Sequence, residues 1–165
     1  MQSKILIYPS VPYAVKRWRD IMCGIAGAVS FIEDMREDMK IYEKMQRALL
    51  RRGPDQHSMT LTREAALIHT RLAVIDIDGG RQPMSFGKYT IVYNGELYNT
   101  AELRKELSDE FSFDTHSDTE IVLKSYIKWG KITSTILKWT NHCLIYHFKI
   151  LQPCLNHSNI SIWLT

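Results

Sequence analysis

Residues 58–61 and 65–70 are two short runs rich in β-formers, separated only by Thr62-Arg63-Glu64. A gap that short holds no crossover, so strands formed there run antiparallel. A third run at 89–93 and a glycine-punctuated one at Gly24–Val29 extend the β content. Helical stretches are interspersed with them. Met35, Met39, Tyr42, Met45 and Leu49 recur at spacings of three and four and share one face, a core stripe. Arg51-Arg52-Gly53-Pro54-Asp55 ends that helix, because glycine suits the position past a helix end and proline cannot continue one. Asn99, with Glu102 three residues on, caps a second helix that buries Leu103 and Leu107. Residues 111–113 read as a short strand, and Ser117 or Asp118 caps a third helix carrying Ile121, Val122, Ser125 and Trp129. The class is α+β, and 165 residues with 45% hydrophobic content suffice for one domain with a real core.

The formal charge of +3 is unevenly spread: carboxylates concentrate in residues 22–130, both ends are basic, and residues 131–165 hold no carboxylate. No stretch clusters Arg and Lys with interleaved aromatics, so nucleic acid is set aside as a partner. Cys23, Cys143 and Cys154 make neither a disulfide framework nor paired zinc spacing, so a reducing, cytoplasmic setting is expected and no metal. The apolar run 144–151 is short and broken by His147 and Lys149, so no membrane span is expected. Residues 1–22 lack a signal-peptide core, since Pro9 and Pro12 interrupt it and Lys16-Arg17 and Arg19 follow it. They are expected to be a pro-segment or, preferably, sequence upstream of the true start at Met22.

Several residues have two readings each. If Met22 is the initiator, Cys23 becomes the first residue and carries both a thiol nucleophile and an α-amine of pKa about 8. The bland alternative is a buried structural cysteine at a strand start. Arg71 ends an apolar strand in His69-Thr70-Arg71-Leu72, either as a surface charge or as a planar fork for a carboxylate. Tyr93-Asn94-Gly95-Glu96 follows a strand with no returning strand behind it, which leaves the Asn94 amide and the Gly95 N–H as paired donors at a strand end. Asp118 suits a helix cap, which does not exclude contact with a substrate ammonium. His57 and His116 read as loop histidines.

Six ordered strings resemble one family. Met22-Cys23-Gly24-Ile25-Ala26-Gly27, Arg52-Gly53-Pro54-Asp55, His69-Thr70-Arg71-Leu72-Ala73-Val74-Ile75-Asp76, Gly80-Arg81-Gln82-Pro83-Met84, Tyr93-Asn94-Gly95-Glu96-Leu97-Tyr98-Asn99 and Thr115-His116-Ser117-Asp118-Thr119-Glu120 occur in the order of the class II glutamine amidotransferase domain of glutamine-hydrolysing asparagine synthetase. The resemblance covers residues 22–130. It implies an N-terminal-nucleophile hydrolase fold, an αββα sandwich of two antiparallel sheets with flanking helices. It further implies that Cys23 attacks the side-chain amide of L-glutamine with its α-amine as base, that Asn94 and Gly95 form the oxyanion hole, and that Arg71, Val74, Glu96 and Asp118 bind glutamine. No cofactor is implied for that step. ATP and Mg are expected only for a synthetase domain, the partner of this one in the full-length family.

Residues 131–165 depart from the family pattern, which continues with further sheet strands and an ATP-binding domain. They are expected to be a non-homologous tail, as a shifted frame after Gly130 would produce, and their proline-broken pattern is not expected to pair as strands. The division is then an extra segment at 1–22, a partial amidotransferase domain at 23–130 and the tail. The sandwich is expected to be incomplete. On that footing no ATP-dependent asparagine synthesis and little glutaminase activity are expected, even from a chain trimmed to Cys23. The alternatives are an inert fragment or binding remnant, and the glutaminase domain of another class II amidotransferase.

Overall fold

A computed structural model describes residues 5–8, 23–30, 32–73, 79–147, 150–155 and 161–164. In chain order the elements are β1 (Ile5–Tyr8), β2 (Gly24–Val29), a 3₁₀ turn (Met35–Asp38), α1 (Met39–Leu49), β3 (Gln56–Leu61) and β4 (Ala65–Arg71). Then follow β5 (Met84–Phe86), β6 (Tyr89–Leu97), α2 (Thr100–Leu107), α3 (Asp118–Trp129), a 3₁₀ turn (Gly130–Ile132) and α4 (Thr133–Ile136). The last strands are β7 (Trp139–His147), β8 (Ile150–Leu155) and β9 (Ser161–Leu164). Two sheets result, β3-β4-β2-β1-β9 and β5-β6-β7-β8, and the strand pairs are antiparallel.

The two-residue period of the strands sorts their side chains into layers. Ala26 and Ala28 of β2, with Ala66 and Ile68 of β4, join Tyr42, Met45 and Leu49 of α1 in one core. On β6, Ile91, Tyr93 and Leu97 join Leu103, Leu107, Ile121 and Val122 of α2 and α3 in another. The alternate positions therefore face the space between the sheets: Ile25 and Val29, Leu67, His69 and Arg71, Val92 and Asn94. All of these are buried. The layers run helix, sheet, sheet, helix, as the fold class requires. Among the described residues no helix is long and apolar enough to cross a membrane.

The C-terminal residues behave differently from expectation. β7 pairs along the whole of β6, from Tyr89 opposite His147 to Leu97 opposite Trp139, and β8 pairs in turn with β7. Residues 139–147 are rich in β-branched and aromatic side chains, and Ile145 is fully buried in the same core as Ile91. Pro153 is tolerated because β8 is an edge strand, where a missing N–H breaks no outer ladder bond. At the other sheet, β1 lies between β2 and β9, so residues on both sides of the 23–130 segment contribute strands.

Smaller differences have local causes. β6 continues through Asn94 and Gly95 to Leu97, because β7 supplies the partner that the sequence did not reveal. Residues 111–113 form no strand: the Ser112 carbonyl accepts from Lys124 Nζ, and the Arg104 guanidinium lies 4.2 Å from the Phe113 ring centre. Met39 is exposed, since the tighter 3₁₀ turn before it rotates it off the stripe that Met35, Tyr42, Met45 and Leu49 bury. His57 belongs to β3 and not to a loop. Asn99 makes no side-chain cap bond; its amide reaches forward to the Ile136 carbonyl at 3.3 Å and the Lys138 N–H at 2.9 Å.

Candidate active site

Cys23 sits at the head of β2, half-buried, against the end of β4. The Leu72 N–H donates to its Sγ at 3.4 Å, and the thiol points back to the Leu72 carbonyl at 3.7 Å. This closeness depends on two glycines. A Cβ on Gly24 would stand 2.5 Å from Thr70 Oγ1, the hydroxyl that donates to the Leu49 carbonyl at 3.0 Å. A Cβ on Gly53 would overlap the Thr70 carbonyl and the Arg71 N–H outright. The Arg52-Gly53-Pro54-Asp55 turn thus packs directly on the strand end. Asp55 fastens it there, its N–H donating to the Arg71 carbonyl at 3.0 Å and its carboxylate accepting from the Ala73 N–H at 2.8 Å.

Two charges of opposite sign act on the thiol. Burial pushes the Cys23 pKa up; the Leu72 N–H and the Arg71 guanidinium oppose that, and the Asp118 carboxylate reinforces it. Arg71 is buried, and its Nη1 donates to Gln56 Oε1 at 3.1 Å across the β3–β4 ladder. Asp118 opens α3 behind Ser117, whose hydroxyl accepts from the Thr119 N–H and is the cap. Burial raises the Asp118 pKa despite backbone N–H donors from Thr119 and Leu97, and the Glu96 charge raises it further. The bond to Leu97 ties Asp118 to the end of β6, the strand that carries Asn94 and Gly95. Asn94 is buried opposite His142, Gly95 stands opposite Asn141, and Glu96 is exposed. Val74 lies outside the described residues.

Three side chains at this site were not singled out from the sequence. His69 lies in the intersheet layer, and its ring bonds to the Tyr93 backbone; burial takes its pKa down to about 4, so the ring is neutral at pH 7. Gln82 and Thr119 are buried and bonded to each other at 3.0 Å. The signal for His69 was its parity with Arg71 on one strand. For Gln82 it was the Gly80-Arg81-Gln82-Pro83 string, which carried resemblance but no role. A cavity of about 340 Å³ borders His69, Gln82 and the Gln56 that holds Arg71.

The sandwich and the Cys23 corner define a class: residues 22–148 match the glutamine amidotransferase domain family, and the chain belongs to it. The match runs past Gly130 to the end of β7. Within that class the chain is 46% identical over 113 residues to asparagine synthetase [glutamine-hydrolyzing] 3 of Bacillus subtilis, covering 66% of this chain and 18% of that protein. It is 35% identical over 111 residues to asparagine synthetase B [glutamine-hydrolyzing] of Escherichia coli, covering 66% and 20%. It is 32% identical over 118 residues to a probable asparagine synthetase [glutamine-hydrolyzing] of Schizosaccharomyces pombe, covering 70% and 21%. The matched region spans about a fifth of each of these relatives.

Proposed function

We propose that this chain is the glutaminase part of a cytoplasmic, glutamine-hydrolysing asparagine synthetase. The observation that carries the reading is that the opposite charges of Arg71 and Asp118 both act on the Cys23 thiol, which the Leu72 N–H holds at the head of β2. That pairing suits a free amino acid: Arg71 takes the α-carboxylate of L-glutamine through its fork, and Asp118 takes the α-ammonium. The raised thiol pKa means that Cys23 rests protonated, so attack needs a base beside it. The α-amine of Cys23, when that residue is first in the chain, is such a base.

The chemistry is acyl transfer. The thiol proton passes to the amine, sulfur bonds to the amide carbon, and negative charge gathers on oxygen. The Asn94 side-chain N–H and the Gly95 backbone N–H take that charge. The proton then goes to the leaving nitrogen, the C–N bond breaks, and ammonia departs from a thioester that water hydrolyses to glutamate. Val74 and Glu96 are the further glutamine-binding residues that the family resemblance implies. No cofactor enters; ATP and Mg serve the amidation of aspartate in a synthetase domain.

Asparagine synthetases carry the likeness in the comparisons, which favours that branch over other class II amidotransferases. The expectation of inactivity rested on an unfilled sheet, and β7 fills the place beside β6. The obstacle left is the peptide bond that joins Cys23 to Met22. The test is ammonia release from L-glutamine by the chain cleaved between Met22 and Cys23, with the first segment retained so that β1 keeps its place beside β2, compared with the uncleaved chain and a cleaved Cys23→Ala variant. Release by the first alone is expected. Equal release from the Cys23→Ala variant would overturn the reading.

A further inference from the structure

We propose that Gln82 is a positioning residue that fixes the oxyanion donors and the ammonium-binding carboxylate relative to each other. This rests on the glutaminase reading above. Met84 pairs with Ile91 in the β5–β6 ladder, so an antiparallel count sets Gln82 across from Tyr93. The main chain does not continue the ladder there. Pro83 has no N–H to give, and the Gln82 carbonyl turns to accept from Ser58 Oγ on β3, in the other sheet. The side chain takes the place that the backbone vacates. Gln82 Oε1 accepts from the Tyr93 N–H at 2.5 Å, and Gln82 Nε2 donates to Thr119 Oγ1 at 3.0 Å.

The two contacts are the residue before Asn94 and the residue after Asp118. One planar amide therefore spans the strand that carries the donors and the helix start that carries the carboxylate, while its own backbone is tied to the Cys23 sheet. His69 holds the same residue from the Cys23 sheet, its ring donating to the Tyr93 carbonyl, the peptide that leads into Asn94. In an antiparallel strand N–H groups alternate sides, so Gly95 N–H points the way Tyr93 N–H does, beyond the end of β5. It is thus left for an oxyanion by the same arrangement that gives Tyr93 to Gln82.

The experiment uses the full chain and two probes. One is L-glutamine; the other is its aldehyde analogue, to which Cys23 adds. In that addition the S–C bond forms, the C=O π bond opens onto oxygen, and the thiol proton goes to that oxygen. The aldehyde-to-glutamine affinity ratio reports the oxyanion donors, and glutamine affinity alone reports Arg71 and Asp118. Titration calorimetry gives each constant together with the competent fraction.

Gln82→Met, similar in shape but without the bonds, is expected to lower glutamine affinity and the ratio by about tenfold each, at unchanged stoichiometry. Gln82→Glu, which keeps the acceptor for Tyr93 N–H and offers the Thr119 hydroxyl an acceptor in place of the amide donor, is expected to recover to within about threefold. Thr119→Val is expected to weaken glutamine and leave the ratio alone, a split that general loss of folding does not produce. Wild-type constants in Thr119→Val, or a loss in Gln82→Met seen only as a lower competent fraction, would overturn the role of Gln82. A wild-type chain that binds neither probe would overturn the glutaminase reading and this role with it.

Discussion

Asp118 and Glu120 stand two residues apart in the first turn of α3, both buried or nearly so, and their surroundings are opposite. Burial alone would raise the Glu120 pKa, but Lys124, the Thr115 hydroxyl and the N–H groups of Asp114 and Thr115 bring it below its ordinary value. Lys124 is itself buried, completes the pair, and lies 4.5 Å from the Phe113 ring centre. Asp118 has backbone donors and a neighbouring Glu96, and burial prevails, so its pKa is raised. Among the described residues no Lys or Arg pairs with it. A carboxylate supplied with a cation is part of the scaffold; one left in want of a cation suits a ligand's ammonium.

The largest effect should come from the satisfied carboxylate. Glu120→Gln leaves the Lys124 ammonium buried without its counter-charge, and breaking such a pair costs about 3–5 kcal/mol. Urea unfolding should show that loss, and a change no larger than a surface pair's would make the two carboxylates alike. Asp118→Asn should do the reverse: little change in unfolding, and glutamine affinity down on the order of 100-fold, since one partner of a buried charge pair is gone. Calorimetry with L-glutamine decides it.

The pH dependence separates the two further. Asp118 keeps its proton longer folded than unfolded, so its contribution is full at low pH and declines as pH rises from 3.8 through the raised value. Glu120 loses its proton sooner when folded, so its contribution is full above 4.5 and is lost as pH falls through the lowered value. Urea midpoints measured across this range should show both slopes in the wild type and only the acid-side loss in Asp118→Asn. The smallest effect belongs to Arg47 and Glu43, at the same i,i+4 spacing as Lys124 and Glu120 but on the surface of α1. Arg47→Ala should shift stability by about 0–0.5 kcal/mol, which makes burial, not spacing, the cause of the contrast.

Much of this was legible locally. The β-rich run of β4, the stop at Gly53-Pro54, the Ser117 cap and the buried pair Leu103 and Leu107 are all encoded within a few residues. The order of six strings marked the candidate site, and Arg71 and Asp118 both come within electrostatic reach of Cys23. What was not legible is nonlocal. Asn94-Gly95 reads as the end of a strand because its partners, His142 and Asn141, lie far downstream. Phe113 reads as a strand residue because the two cations beside it come from α2 and α3. Gln82 carried no role in the sequence because the N–H it satisfies belongs to a different strand.

The pairing of Leu97 with Trp139 bears on the order of folding. It encloses α2 and α3 between two neighbouring strands, so that β5 to β8 and their helical cover form one continuous stretch of chain, a hairpin whose loop is a whole layer. Such a unit closes on contacts made within itself, and packing of α2 and α3 shortens the effective loop before β7 docks. The other sheet gathers strands from both ends of the chain, with β9 reaching back to β1. Its outer edge carries the widest sequence separations in the molecule and is expected to form last. The sheet that carries Cys23 is therefore completed, at β9, only after the strand of Asn94 and Gly95 already has its partner.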